Sequence, residues 1–388
     1  MRRFLERCGA AALVALAAGA CAEPVDAPEP EGGDGADQVL DLGAFPTEES
    51  AVAAEESEGA LAVVPSAPRA TLAGKRFTVF YQVSGDVLDT YADPTLGLPM
   101  AADHAYVFAQ SHATAWASAA FAATIHGARS DFYYAPAFDL HEFPDWRTAD
   151  DATLAGYGHD FRDTALAAGA DFYAMNEAFS DTGWNAAARV QLMKLLRYLS
   201  DPDPSGVSLK GIFFLTEAAA TTANWTSPAN AFWTRVNETC DALVAEHYHS
   251  TGFICAHSTA FLASHYFNFR EWLNDSGVAA KVSIANTKYT VLHSARYGPG
   301  TSGWAGGNSD VDTLARFQRA MSRAAMVTRD TPGGFNRISF APVTSALTAA
   351  GVHPRINVLT RWHYGDPLGG TAAELPCVAD YAGNCTCE

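Results

Sequence analysis

The chain has 388 residues, of which 48% are hydrophobic and 18% charged, and its formal net charge is −18. That composition is globular, with length for one large or two ordinary domains and a sizeable core. The acidic balance speaks against nucleic acid or anionic lipid surfaces as partners.

At the N-terminus, Arg2, Arg3 and Arg7 precede an apolar stretch of small residues ending near Ala20. It has the length of a signal-peptide core and is too short for a spanning helix, so export is expected. "AAGACAEP" closes this segment, and Gly19-Ala20-Cys21 resembles a bacterial lipobox with Ala18 where leucine is usual. Cys21 is therefore a candidate for lipidation, and a small-residue cleavage site ending at Ala22 makes plain secretion the alternative. Under the first reading, the only membrane contact is an N-terminal lipid anchor.

From Ala22 to Gly74 there are twelve acidic residues and one basic residue, Arg69, among Pro, Gly, Ala and Ser. Such a segment buries too little apolar surface to offset chain entropy and is expected to be a disordered, self-repelling spacer. The folded domain is then expected over 75–388. Seven cysteines suit an exported chain. Cys377, Cys385 and Cys387 crowd the C-terminal tail, where a disulfide through Cys377 is expected, and Cys240 and Cys255 can pair or remain thiols.

Beyond Lys75, short β-branched or aromatic runs alternate with longer amphipathic stretches, the pattern of βαβ units and a parallel sheet. The strand candidates are 76–83, 131–138, 171–176, 211–216, 252–257, 281–286, 337–342 and 355–360. The stretches from "HAYVFAQ" and "SPANAFWTRVNETCDALVAEHY" have helical patterns, the second opened by Ser227 and Pro228. Eight strand–helix units over this length predict a single (β/α)8 barrel, a TIM barrel, with a doubly wound open sheet as the alternative.

In such a barrel the chemistry sits where strands end. "DFYAMNEA" ends its apolar run in Asn176 and Glu177, and "GIFFLTEA" repeats the shape with Thr216 and Glu217. Two carboxylates at neighbouring strand ends are what glycosidic cleavage requires, one as proton donor and one as nucleophile or base. Asp86, in the loop after the first strand, is a further candidate for the second carboxylate. His257, Tyr289, Arg361, His363 and Tyr364 also fall at predicted rim positions and are expected to bind substrate. Each of these residues also has a structural alternative, as an ion-paired carboxylate, a core aromatic or a satisfied histidine.

"YAMNEA" resembles the acid/base motif of the clan A (β/α)8 glycoside hydrolases, and "TRWHYGD" resembles their sugar-stacking platform. The resemblance implies Glu177 as general acid/base, Asn176 as a hydrogen-bond partner of the sugar hydroxyl beside the scissile carbon, and Trp362 as the floor of the subsite. In that clan the Asn-Glu pair closes the fourth strand and a nucleophilic glutamate the seventh. Here the strand series puts the pair third and "SFAPVTS" holds no acid, so Glu217 takes the second role.

His247 and His249 form an H-x-H that is placed before the fifth strand, on the stability face, and no metal or cofactor is expected. No Walker or dinucleotide loop, G-x-S-x-G elbow or H-E-x-x-H occurs. The sequence thus points to an exported, monomeric glycosidase-like hydrolase acting on a carbohydrate. The alternative is a surface lipoprotein that keeps the barrel as a carbohydrate-binding or scaffold module without the chemistry.

Overall fold

A computed structural model describes residues 48–110, 118–176, 186–216, 230–275, 284–295, 314–330, 337–341 and 351–364. Eight strands run parallel and close into a barrel: β1 (Arg76–Tyr81), β2 (His104–Gln110), β3 (Phe132–Asp139), β4 (Phe172–Asn176), β5 (Lys210–Leu215), β6 (Cys240–His247), β7 (Tyr289–Ser294) and β8 (Ile338–Ala341). Spatial order follows chain order, and β8 seals the ring by pairing with both β7 and β1. The expected (β/α)8 architecture is the one observed.

The helices, in chain order, are α1 (Glu48–Ala60), α2 (Leu88–Ala92), α3 (Ala119–Ala128), α4 (Asp151–Ala167), α5 (Ala186–Ser200), α6 (Asn230–Thr239), α7 (Thr251–Ala256), α8 (Thr259–Asp275), α9 (Leu314–Asp330) and α10 (Val352–His363). Three of their starts are chemically marked. Ser118, Asp150 and Ser250 each accept a hydrogen bond from the backbone N–H three residues on, at the first turns of α3, α4 and α7.

Alternate residues face opposite sides of a strand, and the registers carry one face around the whole ring. Phe77, Val79 and Tyr81 share that face with Ala105, Val107, Ala109, Ala135, Ala137, Ala174, Ile212, Val244 and Leu292 in one buried cluster, the barrel interior. Many of these side chains are small, which lets the barrel close. The opposite face carries larger groups, Phe80, Phe108, Phe132, Tyr134 and Phe213, which meet the helices. Phe213, for example, packs against Phe232 and Trp233 of α6 at centroid distances of 6.2 and 6.4 Å.

The strand assignments differ from expectation at five places, with one cause. "HAYVFAQ" and "CDALVAEH" are β2 and β6, not helix, and 252–257 and 355–360 lie in or at the end of helices α7 and α10. The sixth candidate run leads into a π turn, Ile284–Lys288, with the strand following it as β7. A parallel strand buried on both faces loses the two-residue alternation, so short apolar runs are ambiguous until neighbours settle them. Counting β2 moves Asn176 from the third strand to the fourth.

The spacer expected over 22–74 also differs in its last part. Residues 48–60 form α1, whose Glu55 and Glu58 are buried and pair with Arg189 (3.0 Å) and Arg197 (2.8 Å) of α5. An acidic composition does not reveal that two of its carboxylates share one helix face. Further on, the Leu72 N–H and the Thr71 hydroxyl donate to Asp241 at 2.8 and 2.7 Å, and Leu72 plugs the N-terminal end of the barrel interior. Cys240 is a free, buried thiol and does not pair with Cys255. Its pKa is pushed up to about 11 by burial. Cys21, Cys377, Cys385 and Cys387 lie outside the described residues.

Candidate active site at the barrel mouth

Carrying the interior register to the C-terminal strand ends identifies what lines the mouth. On β1 it is Tyr81, on β3 Asp139, on β4 Asn176 and on β6 Glu246. Thr216 continues this face just beyond β5, and Ser294 closes β7. Asp139 and Asn176 stand directly opposite each other in the β3–β4 register. Tyr81 lies beside Phe214 with ring centroids 5.0 Å apart and forms the apolar floor below these groups.

Each polar group is held differently. Asp139 is 2% exposed, and its Oδ1 accepts the His141 N–H at 2.9 Å, which caps a 3-10 turn over Leu140–Glu142. Glu246 is 5% exposed and accepts the Tyr248 hydroxyl at 3.1 Å. Asn176 is 3% exposed, yet its Oδ1 has no hydrogen-bond partner among the described residues. A buried acceptor without a donor costs about 1–3 kcal/mol, so the mouth keeps a hydrogen-bonding capacity that a ligand donor can satisfy.

Backbone strain lies at the same rim. Gln82, immediately after β1, has φ 55°, the left-handed region, and is exposed. Its N–H still donates to the Ala109 carbonyl at 3.0 Å, which continues the β1–β2 ladder one residue past the strand. A non-glycine residue held there costs about 1–2 kcal/mol, a feature that concentrates at functional sites.

The residues expected from sequence fall into three groups. Asn176 is at the mouth, and Asp86 is exposed in a 3-10 turn, Gly85–Val87, that follows β1 on the same side. Glu177 and Glu217 lie outside the described residues. The others are corrections of position. Tyr289 opens β7 at the opposite end, fully buried, with its hydroxyl donating to the Tyr266 carbonyl at 2.8 Å. His257 follows α7, not a strand, and its Nδ1–H donates to the Phe253 carbonyl at 2.9 Å.

Arg361, Trp362 and His363 belong to α10 and Tyr364 caps it, so none closes a strand. Arg361 donates to the Thr95 carbonyl at 2.5 Å, and Arg329 lies over the Trp362 ring at 4.5 Å. The Tyr364 hydroxyl meets Thr78 at 2.5 Å, and its ring packs on His104 and under Arg76, which start β2 and β1. This cluster braces the N-terminal end of the barrel and is no sugar platform. The run "RINVLT" reads as a strand because it is β-branched, but Val352, Ile356 and Leu359 bury a helical stripe.

Sequence reasoning missed Glu246 and misplaced its neighbours. With "CDALVAEH" taken as helix, Glu246 is not counted among the rim residues and the H-x-H is placed on the stability face. In fact His247 closes β6, so the histidines stand at the functional end of the barrel. The available signal was the alternation Ala242, Val244, Glu246 against Leu243, Ala245, His247.

No protein-family model matches the chain, and no curated protein matches it in sequence. Among solved structures, a GH18 chitinase from Pseudoalteromonas aurantia is similar with a TM-score of 0.44 and 13% identity, over 73% of this chain and 99% of that one. A glucosidase from Croceicoccus marinus is similar with a TM-score of 0.41 and 11% identity, over 72% of this chain and 62% of its own, so this chain spans less than two thirds of that enzyme.

Proposed function

We propose that the protein is an exported glycosidase-like hydrolase that cleaves a glycosidic bond at the mouth of its barrel. The observation that carries the reading is Asn176, which closes the fourth strand facing inward, buried, with a side-chain oxygen that has no partner among the described residues. The clan A resemblance asks for that strand, and Asn176 closes it once β2 is counted. In this reading Asn176 accepts a sugar hydroxyl, and Glu177, next in the chain, protonates the leaving oxygen. The second carboxylate is Glu217, which follows the neighbouring strand, with Asp86 as the other candidate. Asp139 and Glu246 flank the pair on β3 and β6 and accept further hydroxyls. Lipidation at Cys21 would tether the barrel to a membrane surface through the acidic segment.

General acid catalysis contributes about 10²–10⁴-fold. Glu177→Gln is therefore expected to lower kcat by that factor on substrates with poor leaving groups. Aryl glycosides whose leaving groups depart without a proton should lose much less. The measurement is a screen of the purified chain on aryl glycosides and polysaccharides. An unchanged kcat in the variant removes Glu177 from the role, and saturable sugar binding without turnover by the wild type supports the binding-module alternative.

A further inference from the structure

β6 sends its last side chains to two places. Glu246 takes the inward register, and His247 points outward into the layer under α8. His249, two residues on, and His265 of α8 converge on it. Ring centroids are 5.6 Å apart for His247–His249, 5.2 Å for His247–His265 and 4.8 Å for His249–His265. One ligating nitrogen from each lies within 4.8 Å of the other two. A Zn–N bond of ~2.0–2.1 Å places tetrahedral ligand nitrogens about 3.4 Å apart, so closure on an ion needs shifts of roughly an ångström, within reach of small side-chain rotations.

His247 is the observation that needs explaining. It is 2% exposed, and neither ring nitrogen has a hydrogen-bond partner among the described residues. Buried polar groups are almost always satisfied, and an orphaned one calls for a specific cause. A neutral imidazole nitrogen with an uncommitted lone pair is the form that ligates metal. His293 stays outside the set, because its Nε2 is engaged with the Thr328 hydroxyl at 2.9 Å.

Surroundings select the ion. The trio contains no carboxylate, which disfavours calcium and magnesium, whereas imidazoles suit zinc and its neighbours. Phe253 stacks on His249 at 4.0 Å, giving the site an apolar wall, while His265 is half-buried and marks the side open to solvent.

We propose that His247, His249 and His265 form a three-histidine site for a zinc-like divalent transition-metal ion, leaving a fourth coordination position for water or a ligand. The site lies outside the barrel interior and stands independently of the glycosidase reading.

The test uses the whole purified chain, stripped with a chelator and titrated calorimetrically with Zn²⁺ and, as control, Mg²⁺. One equivalent of Zn²⁺ should bind, Mg²⁺ should not, and Zn²⁺ should raise Tm by stabilising the native state. His265→Ala, at a half-buried helix position, should weaken Zn²⁺ by at least about tenfold, the lower limit of what even an outer-shell change costs. If that variant does not fold, His249→Gln serves the same purpose. Cobalt substitution should give a nitrogen-ligand spectrum without thiolate charge-transfer absorption. Absence of stoichiometric Zn²⁺ binding, a loss smaller than about tenfold in the folded variant, or a thiolate signature from cysteine ligation would each overturn the proposal.

Discussion

His363 shows how a single side chain can set a pH limit on the fold. It is fully buried on α10 without a hydrogen-bond partner among the described residues, and burial, aided by the positive charge of Arg329 and the proximity of His293, lowers its pKa to about 3. In the unfolded chain the same imidazole titrates near ~6.5. Between these values the unfolded state binds the extra proton, so stability is complete above pH ~6.5 and falls with acidification, by up to about 1.4 kcal/mol per pH unit. Urea denaturation at pH 7, 6 and 5 should show this slope in the wild type and a shallower one in His363→Leu. Equal slopes would mean that His363 titrates in the fold as it does in the unfolded chain. Sequence reasoning placed His363 at the mouth because it follows 355–360, read there as the eighth strand. Only helix geometry, which turns successive residues by about 100°, sends its ring into the core.

Between elements, the contact of α4 with α5 depends on a residue that has no side chain. A Cβ on Gly158 would lie 2.5 Å from the Tyr198 Cβ and 3.1 Å from the Tyr198 carbonyl carbon. Helix propensity alone favours Gly158→Ala by about 1 kcal/mol. Overpacking costs about 1–3 kcal/mol, and here the obstacle is backbone and Cβ, which cannot swing aside. The variant is therefore expected to be net destabilised by about 1–2 kcal/mol, read as a lower denaturation midpoint at unchanged m-value. A stabilised Gly158→Ala would show that the helices separate at little cost. The same scale explains the misread elements. "CDALVAEH" extends an amphipathic helical pattern in the sequence, yet it pairs with β5 and β7 on either side. Paired on both edges, its backbone groups are satisfied as a central strand.

For the whole molecule, the barrel does not begin where its first strand begins. Thr71 and Leu72 satisfy Asp241 at the start of β6, Ala67–Pro68 pairs with Val207–Ser208, and α1 places Glu55 and Glu58 against Arg189 and Arg197. A chain starting at Lys75 would leave Asp241 and both arginines without these partners and uncover the Leu72 site. Removing one partner of a buried ion pair costs about 3–5 kcal/mol, and the residual solvent exposure of the arginine side chains, 13% and 17%, reduces that for each. The truncated chain should melt at least about 10 °C below the full one by calorimetry. An equal Tm would mean that residues before Lys75 dock without stabilising.

The sequence by itself determined a parallel α/β architecture, with the closed barrel as first expectation and an open sheet as alternative, and Asn176 as a polar end to an apolar strand. Local composition and turn chemistry suffice for those. The tertiary structure decided which apolar runs are strands, that Asn176 closes the fourth of them, that Glu246 faces the mouth while His247 faces α8, and that 361–364 brace the opposite end. These are matters of register and of which face is turned inward. Strands buried on both sides erase the periodicity that would announce either, so the information resides in contacts between residues far apart in the chain.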